Sequence, residues 1–312
     1  MRWAVTALVV VLLGRLAVQQ DWRRVWGVMR GARLGLLLVV VGLNVPLIWC
    51  KARRLHLLLR PTLRVPIGRL MRFFVVSYAA DNLVMSHAGL GVRVALLRRE
   101  GAPWSTAVAV QGLEKAMEAM GIALVALVVQ LSPSLSTLPT WIGRPLRWSF
   151  VLSGAAMVGA MALLVAGAMG QGLLRRFGEA ATALRRPEVA LETSLWTATA
   201  WAIEVVMVTL GLRALDLPAG LMGSCLVLLA VTLGSLIPGL PGNFGTFEAS
   251  AVVALGVLGV EPAVALGWAL LYHFLHTIPV TVVGLPQLRM ATYRAPLASS
   301  RGAEAEATHP AA

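Results

Sequence analysis

The sequence predicts an all-helical integral membrane protein with about eight transmembrane helices. The chain is 58% hydrophobic and only 13% charged, whereas a soluble domain is about 45–50% apolar and about 25% charged. Apolar runs of near-membrane length recur along it, separated by short basic loops. No stretch sustains the alternation of apolar and polar residues that indicates a strand. These three observations together favour a polytopic helical protein.

Crossing a bilayer takes roughly 20 helical residues. The segments near this length are 3–18, 34–50, 104–131, 148–170, 193–212, 219–237, 246–260 and 263–285. Segment 73–90 is also apolar, but basic loops flank it on both sides, so we expect it to enter the membrane and return as a re-entrant hairpin. Residues 1–288 are predicted to form one transmembrane domain. The Ala-, Ser-, Pro- and Glu-rich stretch 289–312 reads as a disordered cytoplasmic tail.

The net charge of +13 comes from 27 lysines and arginines against 14 acids. The basic residues cluster in the short loops, which is the positive-inside pattern and favours anionic lipid over nucleic acid as the partner. Loop 51–72 carries seven basic residues and no acid, so it is predicted to be cytoplasmic, as are both termini. Within it, 51–60 alternates basic residues with leucines and is expected to lie in the headgroup plane. Loop 19–33 conflicts with this scheme, because it places four arginines outside.

The run 238–248 interrupts two strongly apolar segments with prolines, glycines and a carboxylate. A lipid-facing helix cannot hold such a run, because its backbone polar groups would lack partners in hydrocarbon. Broken backbone at membrane depth tends to mark a substrate site in transporters. Pro238, Gly242, Gly245 and Glu248 are therefore candidates for a substrate path. Helix capping is an alternative and compatible role for Glu248, since a carboxylate suits the positive end of a helix.

A second glycine-rich break lies at Gly89 and Gly91, shortly after Asp81 and just before Arg93. Free backbone N–H groups beside an arginine could hold a lipid phosphate, whereas a tight turn with a snorkelling arginine is the structural alternative. The stretch from 81 to 98 resembles that from 235 to 255, which suggests an internal repeat. The loop charges place both breaks on the same membrane side.

An ionisable residue within a membrane segment costs free energy to bury, so its presence there suggests a functional role. Glu114 and Glu118 share a helix face with Gln111, and Lys115 lies beside it. This group could line a cavity for a cationic headgroup or relay protons. Alternatively, it could be a structural lock in which Lys115 pairs with a carboxylate, or it could lie near the cytoplasmic interface and be solvated. Glu204 lies near the middle of its segment, where it could be part of the same cavity or a single carboxyl that is protonated or hydrogen-bonded to a neighbouring helix.

No cofactor or metal is predicted. Cys50 and Cys225 are isolated and read as small core residues. His273 and His276 share one helix face but lack further ligands, so aromatic packing with one hydrogen bond is the favoured reading. The sequence contains no P-loop, nucleophile elbow or dinucleotide motif, which favours a protein that is not an enzyme.

The chain resembles the membrane region of lysylphosphatidylglycerol synthases, a flippase-like family that also occurs as a stand-alone protein. The resemblance covers roughly 49–285. It rests on the basic elbow 49–55, the glycine turn 86–93, the charged pair Glu114-Lys115 and the P-x-x-x-G-x-x-G-x-F-E signature from Pro238 to Glu248. Because the sequence ends soon after its last span, the resemblance implies the membrane region without the aminoacyl-transferase domain.

The resemblance implies a bacterial inner-membrane protein that moves a charged or glycosylated lipid between leaflets. Arg93 and Lys115 would hold a phosphate, and Glu114, Glu118 and Glu248 would meet a cationic group or a coupling proton. Two alternatives remain: a non-transporting scaffold for a lipid-modifying enzyme or glycosyltransferase, and an enzyme that uses the Glu114/Glu118 pair. The candidate path residues are Asp81, Gly89, Gly91, Arg93, Glu114, Lys115, Glu118, Glu204, Pro238, Gly242, Gly245 and Glu248.

Overall fold

The computed structural model describes residues 21–84, 87–131, 148, 183–184, 186–237 and 240–293, and these residues are helical with short connections. In chain order the α-helices are α1 (Trp22–Arg30), α2 (Leu34–Leu59), α3 (Ile67–Leu83), α4 (Ala88–Arg99), α5 (Trp104–Gln130), α6 (Pro187–Arg213), α7 (Leu221–Gly234), α8 (Thr246–Val257) and α9 (Pro262–Tyr293). A 3₁₀ turn, Pro241–Asn243, precedes α8. The predicted all-helical fold is confirmed.

The long helices present apolar side chains outward. Three of them, α2, α6 and α9, are long and apolar enough to cross a membrane. Large hydrophobic side chains such as Leu38, Leu195 and Val282 are more than half exposed, which in a soluble protein would be a large unpartnered apolar surface. Helix α5 has 27 residues, but it carries Glu114, Lys115 and Glu118. The protein is a polytopic membrane protein in which the buried charged residues Arg54, Glu114 and Glu248 lie on inward faces.

Two pairs of shorter helices form hairpins. Helices α3 and α4 have 17 and 12 residues, and α7 and α8 have 14 and 12. At 1.5 Å per residue α4 and α8 are each about 18 Å long, well short of the roughly 30 Å hydrocarbon core. Within each pair the two helices pack against each other. The hairpin predicted over 73–90 is observed with wider bounds, as Ile67–Leu83 and Ala88–Arg99. Segments 219–237 and 246–260, predicted as separate spans, form a second hairpin.

The helices repeat in order and spacing. Helix α8 begins 158 positions after α4, at residues 246 and 88, and α9 begins 158 positions after α5, at residues 262 and 104. Gly101 and Gly259 are separated by the same interval and both adopt left-handed backbone angles, with φ of 96° and 80°, where glycine avoids a Cβ clash. The order long, short, short, long thus occurs twice, as α2–α5 and α6–α9.

The two hairpins start at opposite ends of the molecule, because α2 and α6 are antiparallel. Near the start of α2, the Arg33 N–H donates to the Ala214 carbonyl, just past the end of α6, at 2.8 Å. At the other end, Arg53 pairs with Glu192 at 2.7 Å. Hairpin α3–α4 follows the end of α2 and hairpin α7–α8 follows the end of α6. The two hairpins therefore enter the fold from opposite ends, and the prediction that both breaks lie on one membrane side stays a prediction.

The tips of the two hairpins meet inside the fold. The 3₁₀ turn Pro241–Asn243 packs against α3, and a Cβ added to Gly242 would lie 3.5 Å from Asn82 Oδ1. Asn82 in turn donates to Thr281 of α9 at 2.8 Å. The predicted span 3–18, the predicted span 148–170 apart from Trp148, and Pro238 lie outside the described residues. Helix α9 continues to Tyr293, five residues into the predicted disordered tail, and the remainder of that tail also lies outside them.

Gly89 sets how closely α4 approaches α3. A Cβ at Gly89 would lie 2.3 Å from the Ser77 carbonyl oxygen and 2.5 Å from the Asp81 carboxylate, whereas at Gly91 it would meet nothing within 4 Å. We expect Gly89→Ala to cost about 1–3 kcal/mol by overpacking and to lower the apparent thermal transition in detergent. Gly91→Ala is the matched control and should not lower it. Equal transitions for the two variants would contradict this packing role.

Candidate functional site

A cavity of about 490 Å³ lies between the two hairpins and the long helices. Its walls come from both halves of the repeat, with α2, α3, α4 and α5 on one side and α6, α7, α8 and α9 on the other. Four basic and four acidic side chains line it: Lys51, Arg54, Arg93, Lys115, Asp81, Glu114, Glu118 and Glu204. Such a density of charge within an apolar helical protein indicates a functional site.

One wall of the cavity is a chain of buried ion pairs. Arg54 contacts Glu118 at 2.5 Å and Glu114 at 3.5 Å, and the second oxygen of Glu114 accepts from Arg93 at 2.8 Å. The Arg54 and Glu114 side chains are only 2% and 4% exposed. Arg93 also lies 4.1 Å from the centroid of the Phe74 ring, within cation–π distance. We call these four charged residues the charged wall.

Arg54 corrects the expectation for segment 51–60. That segment was predicted to lie in the headgroup plane, but α2 continues to Leu59 and directs Arg54 inward. Lys51, three residues earlier on the same face, contacts Glu204 at 3.5 Å. A buried arginine of this kind requires carboxylate partners, and α5 and α6 supply them.

Lys115 differs from the other cations of the cavity. Its residue is exposed, and among the ion pairs of the described residues none includes it. The alternative in which Lys115 locks a carboxylate therefore does not match the structure, where Arg54 and Arg93 perform that task. Lys115 is the cation of the cavity that is available to a ligand.

Asp81 connects the two helices of the first hairpin. Its Oδ1 accepts from the Gly89 N–H at 2.7 Å, so this donor at the start of α4 is already occupied. The predicted anion site built on free glycine N–H groups therefore loses one of its donors. Asp81 still lines the cavity, and Gly91 is exposed with open space around it.

Glu248 and His273 form a buried latch on the second hairpin. Glu248 accepts from the Gly245 N–H at 2.6 Å and contacts His273 Nδ1 at 2.6 Å. The other ring nitrogen, Nε2, lies 2.9 Å from the Gly242 carbonyl, to which it can only donate. Phe244 stacks on the imidazole at 4.5 Å. His273 thus makes two hydrogen bonds rather than the one predicted, and the pair fastens the turn 241–245 to α9.

The second half of the repeat supplies a wall of different chemistry. Helix α5 positions that line the cavity have α9 equivalents 158 residues later that also line it: Glu114 with Tyr272, Lys115 with His273, Glu118 with His276 and Ala119 with Thr277. Helices α3 and α7 correspond similarly at an interval of 154: Phe74 with Leu228, Tyr78 with Thr232 and Asp81 with Ser235. The longer turn of the second hairpin accounts for the four-residue difference. Charged residues on α5 thus face aromatic and neutral polar residues on α9.

The structure brings six of the twelve predicted path residues together around the cavity: Asp81, Arg93, Glu114, Lys115, Glu118 and Glu204. Three others lie behind the cavity lining and belong to the latch: Gly242, Gly245 and Glu248. Gly89 contributes through the packing of α4 on α3. Lys51, Arg54 and Tyr272 were missed. Their one sequence signal was helical spacing, since Lys51 and Arg54 are three residues apart and share a face.

Cation ligands do not cluster in the part of the chain that the structure describes, where no group of three His, Cys, Asp or Glu side chains could hold a metal ion. Cys50 and Cys225 are both buried and unpaired by disulfide. The polar groups that converge on the cavity are guanidinium, ammonium, carboxylate, amide, imidazole and phenol groups. These groups suit the recognition of a polar organic headgroup.

Comparison with known proteins gives one family. No curated protein matches the chain. The family model described as "Lysylphosphatidylglycerol synthase TM region" matches residues 2–284, a range that contains both hairpins, every residue that lines the cavity and all of the repeat except the end of α9. The chain therefore belongs to the lysylphosphatidylglycerol synthase transmembrane-region family, a family of membrane proteins of lipid metabolism or transport.

Proposed function

We propose that this protein moves a polar lipid between the two leaflets of the bacterial inner membrane, with the headgroup in the cavity and the acyl chains in the bilayer. The observation that carries the proposal is the charged cavity at the meeting point of two hairpins that start at opposite ends of the fold. The apolar acyl chains of a lipid gain no favourable contact in a charged cavity. The polar headgroup, which the hydrocarbon core excludes, does.

The repeat supports a mechanism of alternating access. In transporters built from inverted repeats, the substrate site lies at the repeat interface and broken helices form it. Here each hairpin would close the cavity toward one leaflet, and opening of one hairpin at a time would expose the headgroup to one side. The charged wall gives an approaching phosphate or amine partners that replace its hydration. The protein's own chemistry in this proposal is binding and release, and no covalent step is required.

Leaflet exchange in reconstituted vesicles tests the proposal. Vesicles containing the purified protein would carry fluorescent phospholipids in both leaflets, and a membrane-impermeant reductant would bleach the outer leaflet. We expect bleaching to pass well beyond one half in protein-containing vesicles, and Asp81→Asn to slow this second phase with unchanged membrane abundance. Bleaching that stops at one half for every lipid tested, with the protein retained on a lipid-modifying enzyme, would favour the scaffold instead.

The inverted arrangement of the hairpins makes a separate prediction about membrane sidedness. Arg64 precedes the first hairpin and Pro218 precedes the second, and both residues are exposed. In a variant with the buried Cys50 and Cys225 replaced by alanine, single Arg64→Cys and Pro218→Cys changes should react with an impermeant maleimide from opposite membrane faces. Labelling of whole cells and of inverted membrane vesicles gives the two readouts. Reaction of both cysteines from one face would contradict the inverted placement.

A further inference from the structure

We infer that the neutral part of the cavity binds a hydroxyl-rich headgroup, such as a sugar or glycerol attached to a lipid. This inference rests on the proposed function and adds the class of substrate to it. It depends on a set of polar atoms that the charged wall does not use.

Two deeply buried side chains face the cavity without partners. Both amide atoms of Gln111 and the hydroxyl of Tyr272 lack a hydrogen bond, although these residues are only 3% and 4% exposed. A buried polar atom without a partner costs about 1–3 kcal/mol, and folded proteins contain few of them. Three such atoms on one cavity, from α5 and α9, indicate a site whose partners arrive with a ligand.

Two further unpartnered atoms belong to the same cavity. They are Asn243 Oδ1, on the turn of the second hairpin, and His276 Nδ1, one turn after Tyr272 on α9. The unpartnered atoms therefore come from three separate elements and include donors and acceptors. Gln130 and Trp268 also carry unpartnered nitrogens but do not line the cavity, so they provide controls.

The charge pattern selects the class of ligand. Carboxylates already pair with three cations of the cavity, Arg54, Arg93 and Lys51. Lys115 is therefore the cation available to bind a phosphate, and the carboxylates that would bind an amine are already in ion pairs. Glu114 Oε1 lacks a hydrogen bond but lies 3.5 Å from Arg54. Apart from Lys115 and Arg54 Nε, which also lacks a hydrogen bond, the unpartnered groups are neutral, and an amide, a phenol and an imidazole both donate and accept. Hydroxyl groups, which also do both, match this set.

The size and the surfaces of the cavity agree with a ring-sized headgroup. Its volume of about 490 Å³ falls within the roughly 300–1,000 Å³ of small-molecule sites. Trp201 and Phe247 contribute aromatic surface to the lining, and Tyr272 is held by near-parallel stacking on Trp268, with ring centroids 4.9 Å apart. Aromatic faces pack against the C–H faces of a sugar while polar tips reach its hydroxyls.

Binding can be measured with lipids that share acyl chains and differ in headgroup. Phosphatidylinositol, phosphatidylglycerol, phosphatidic acid and phosphatidylethanolamine would be titrated into detergent-solubilised protein, with the shift of the thermal transition as readout. We expect the two polyol lipids to bind at least tenfold more tightly than the other two. Gln111→Leu and Tyr272→Phe should each weaken polyol binding about 2- to 10-fold, the equivalent of one hydrogen bond.

The same variants separate a binding role from a structural one. Because each removes an unpartnered polar group, neither should lower the transition of the lipid-free protein. Gln130→Leu, the same substitution on the same helix outside the cavity, should leave affinity unchanged. Tighter binding of phosphatidylinositol than of phosphatidylglycerol identifies a sugar-sized ring as the preferred headgroup. The reverse order identifies glycerol. Either order supports the inference.

Two results would overturn it: phosphatidic acid or phosphatidylethanolamine binding as tightly as the polyol lipids, or unchanged polyol affinity in both cavity variants. The latter would mean that the atoms are only hydrated. Failure here is distinct from failure of the proposed function. If lipids cross the vesicle bilayer regardless of headgroup, the transport proposal is supported and the polyol site is contradicted. If polyol lipids bind as expected but none crosses, the polyol site is supported and the transport proposal is contradicted.

Discussion

Arg54→Met is expected to destabilise the protein by about 3–5 kcal/mol, the usual cost of leaving a buried carboxylate without its partner. Arg54 is 1% exposed and contacts both Glu118 and Glu114. Methionine fills a similar volume without the charge, so the effect reports the lost ion pairs rather than a void. The measurement is the apparent thermal transition in detergent, together with the amount of protein recovered from membranes.

The adjacent residue gives the matched control. Arg53 also pairs with a carboxylate, Glu192, but these side chains are 28% and 38% exposed, so Arg53→Met should cost less than about 1 kcal/mol. Adding Glu118→Gln to Arg54→Met should recover part of the loss, because the uncompensated charge is removed. If Arg53→Met and Arg54→Met shift the transition equally, the buried network does not organise the cavity.

Glu248→Ala should be the second most damaging single change. It removes the acceptor for the Gly245 N–H and the partner of His273 Nδ1 together, and the Glu248 side chain is only 7% exposed. Loss of a helix cap costs about 1 kcal/mol and an unpartnered buried donor a further 1–3 kcal/mol. The turn 241–245 would then be held less firmly to α9, and we expect faster proteolysis there as well as a lower thermal transition.

Glu248→Gln separates hydrogen bonding from charge. The amide oxygen can accept from the Gly245 N–H and the amide nitrogen can donate to the imidazole, so most of the stability should remain. The sequence alone suggested a substrate contact for Glu248, but Glu248 is behind the cavity lining. We therefore expect Glu248→Gln to transport at close to the normal rate while Glu248→Ala does not. A fully stable Glu248→Gln protein that fails to transport would instead give the charge of Glu248 a direct role.

Local sequence patterns were sufficient to predict the fold class and several of the helices. The helix predicted over 104–131 is observed as Trp104–Gln130, because an apolar run without proline or glycine clusters has one stable form in a membrane. The broken run 238–248 and the similarity between the stretches beginning at Asp81 and Ser235 also indicated the repeat. Hydropathy gave the wrong prediction for helices too short to cross the membrane. An apolar 12-residue helix has the same hydropathy whether it belongs to a hairpin or to a membrane span.

The candidate site was harder to predict, because its pairings are long-range. Glu114 and Glu118 were recognisable as a shared helix face, but their partner Arg54 lies 60 positions earlier among basic residues that resemble a cytoplasmic loop. Nothing in the local sequence distinguishes the buried Arg54 from the partly exposed Arg53. Tyr272 was equally hidden, since a tyrosine in an apolar helix is usual. Its importance depends on a hydroxyl without a partner and on its correspondence to Glu114 in the other half of the repeat.

Reversible locking of the tip of the first hairpin to α9 tests most directly whether this hairpin must move for a headgroup to cross. Asn82 donates to Thr281 at 2.8 Å, so cysteines at these two positions, in protein with alanine at Cys50 and Cys225, are close enough to form a disulfide or a short cross-link. Leaflet exchange would be measured on one vesicle preparation before oxidation, after it and after reduction. The account predicts that exchange stops in the oxidised protein and returns on reduction. Exchange at an unchanged rate in fully cross-linked protein would contradict it.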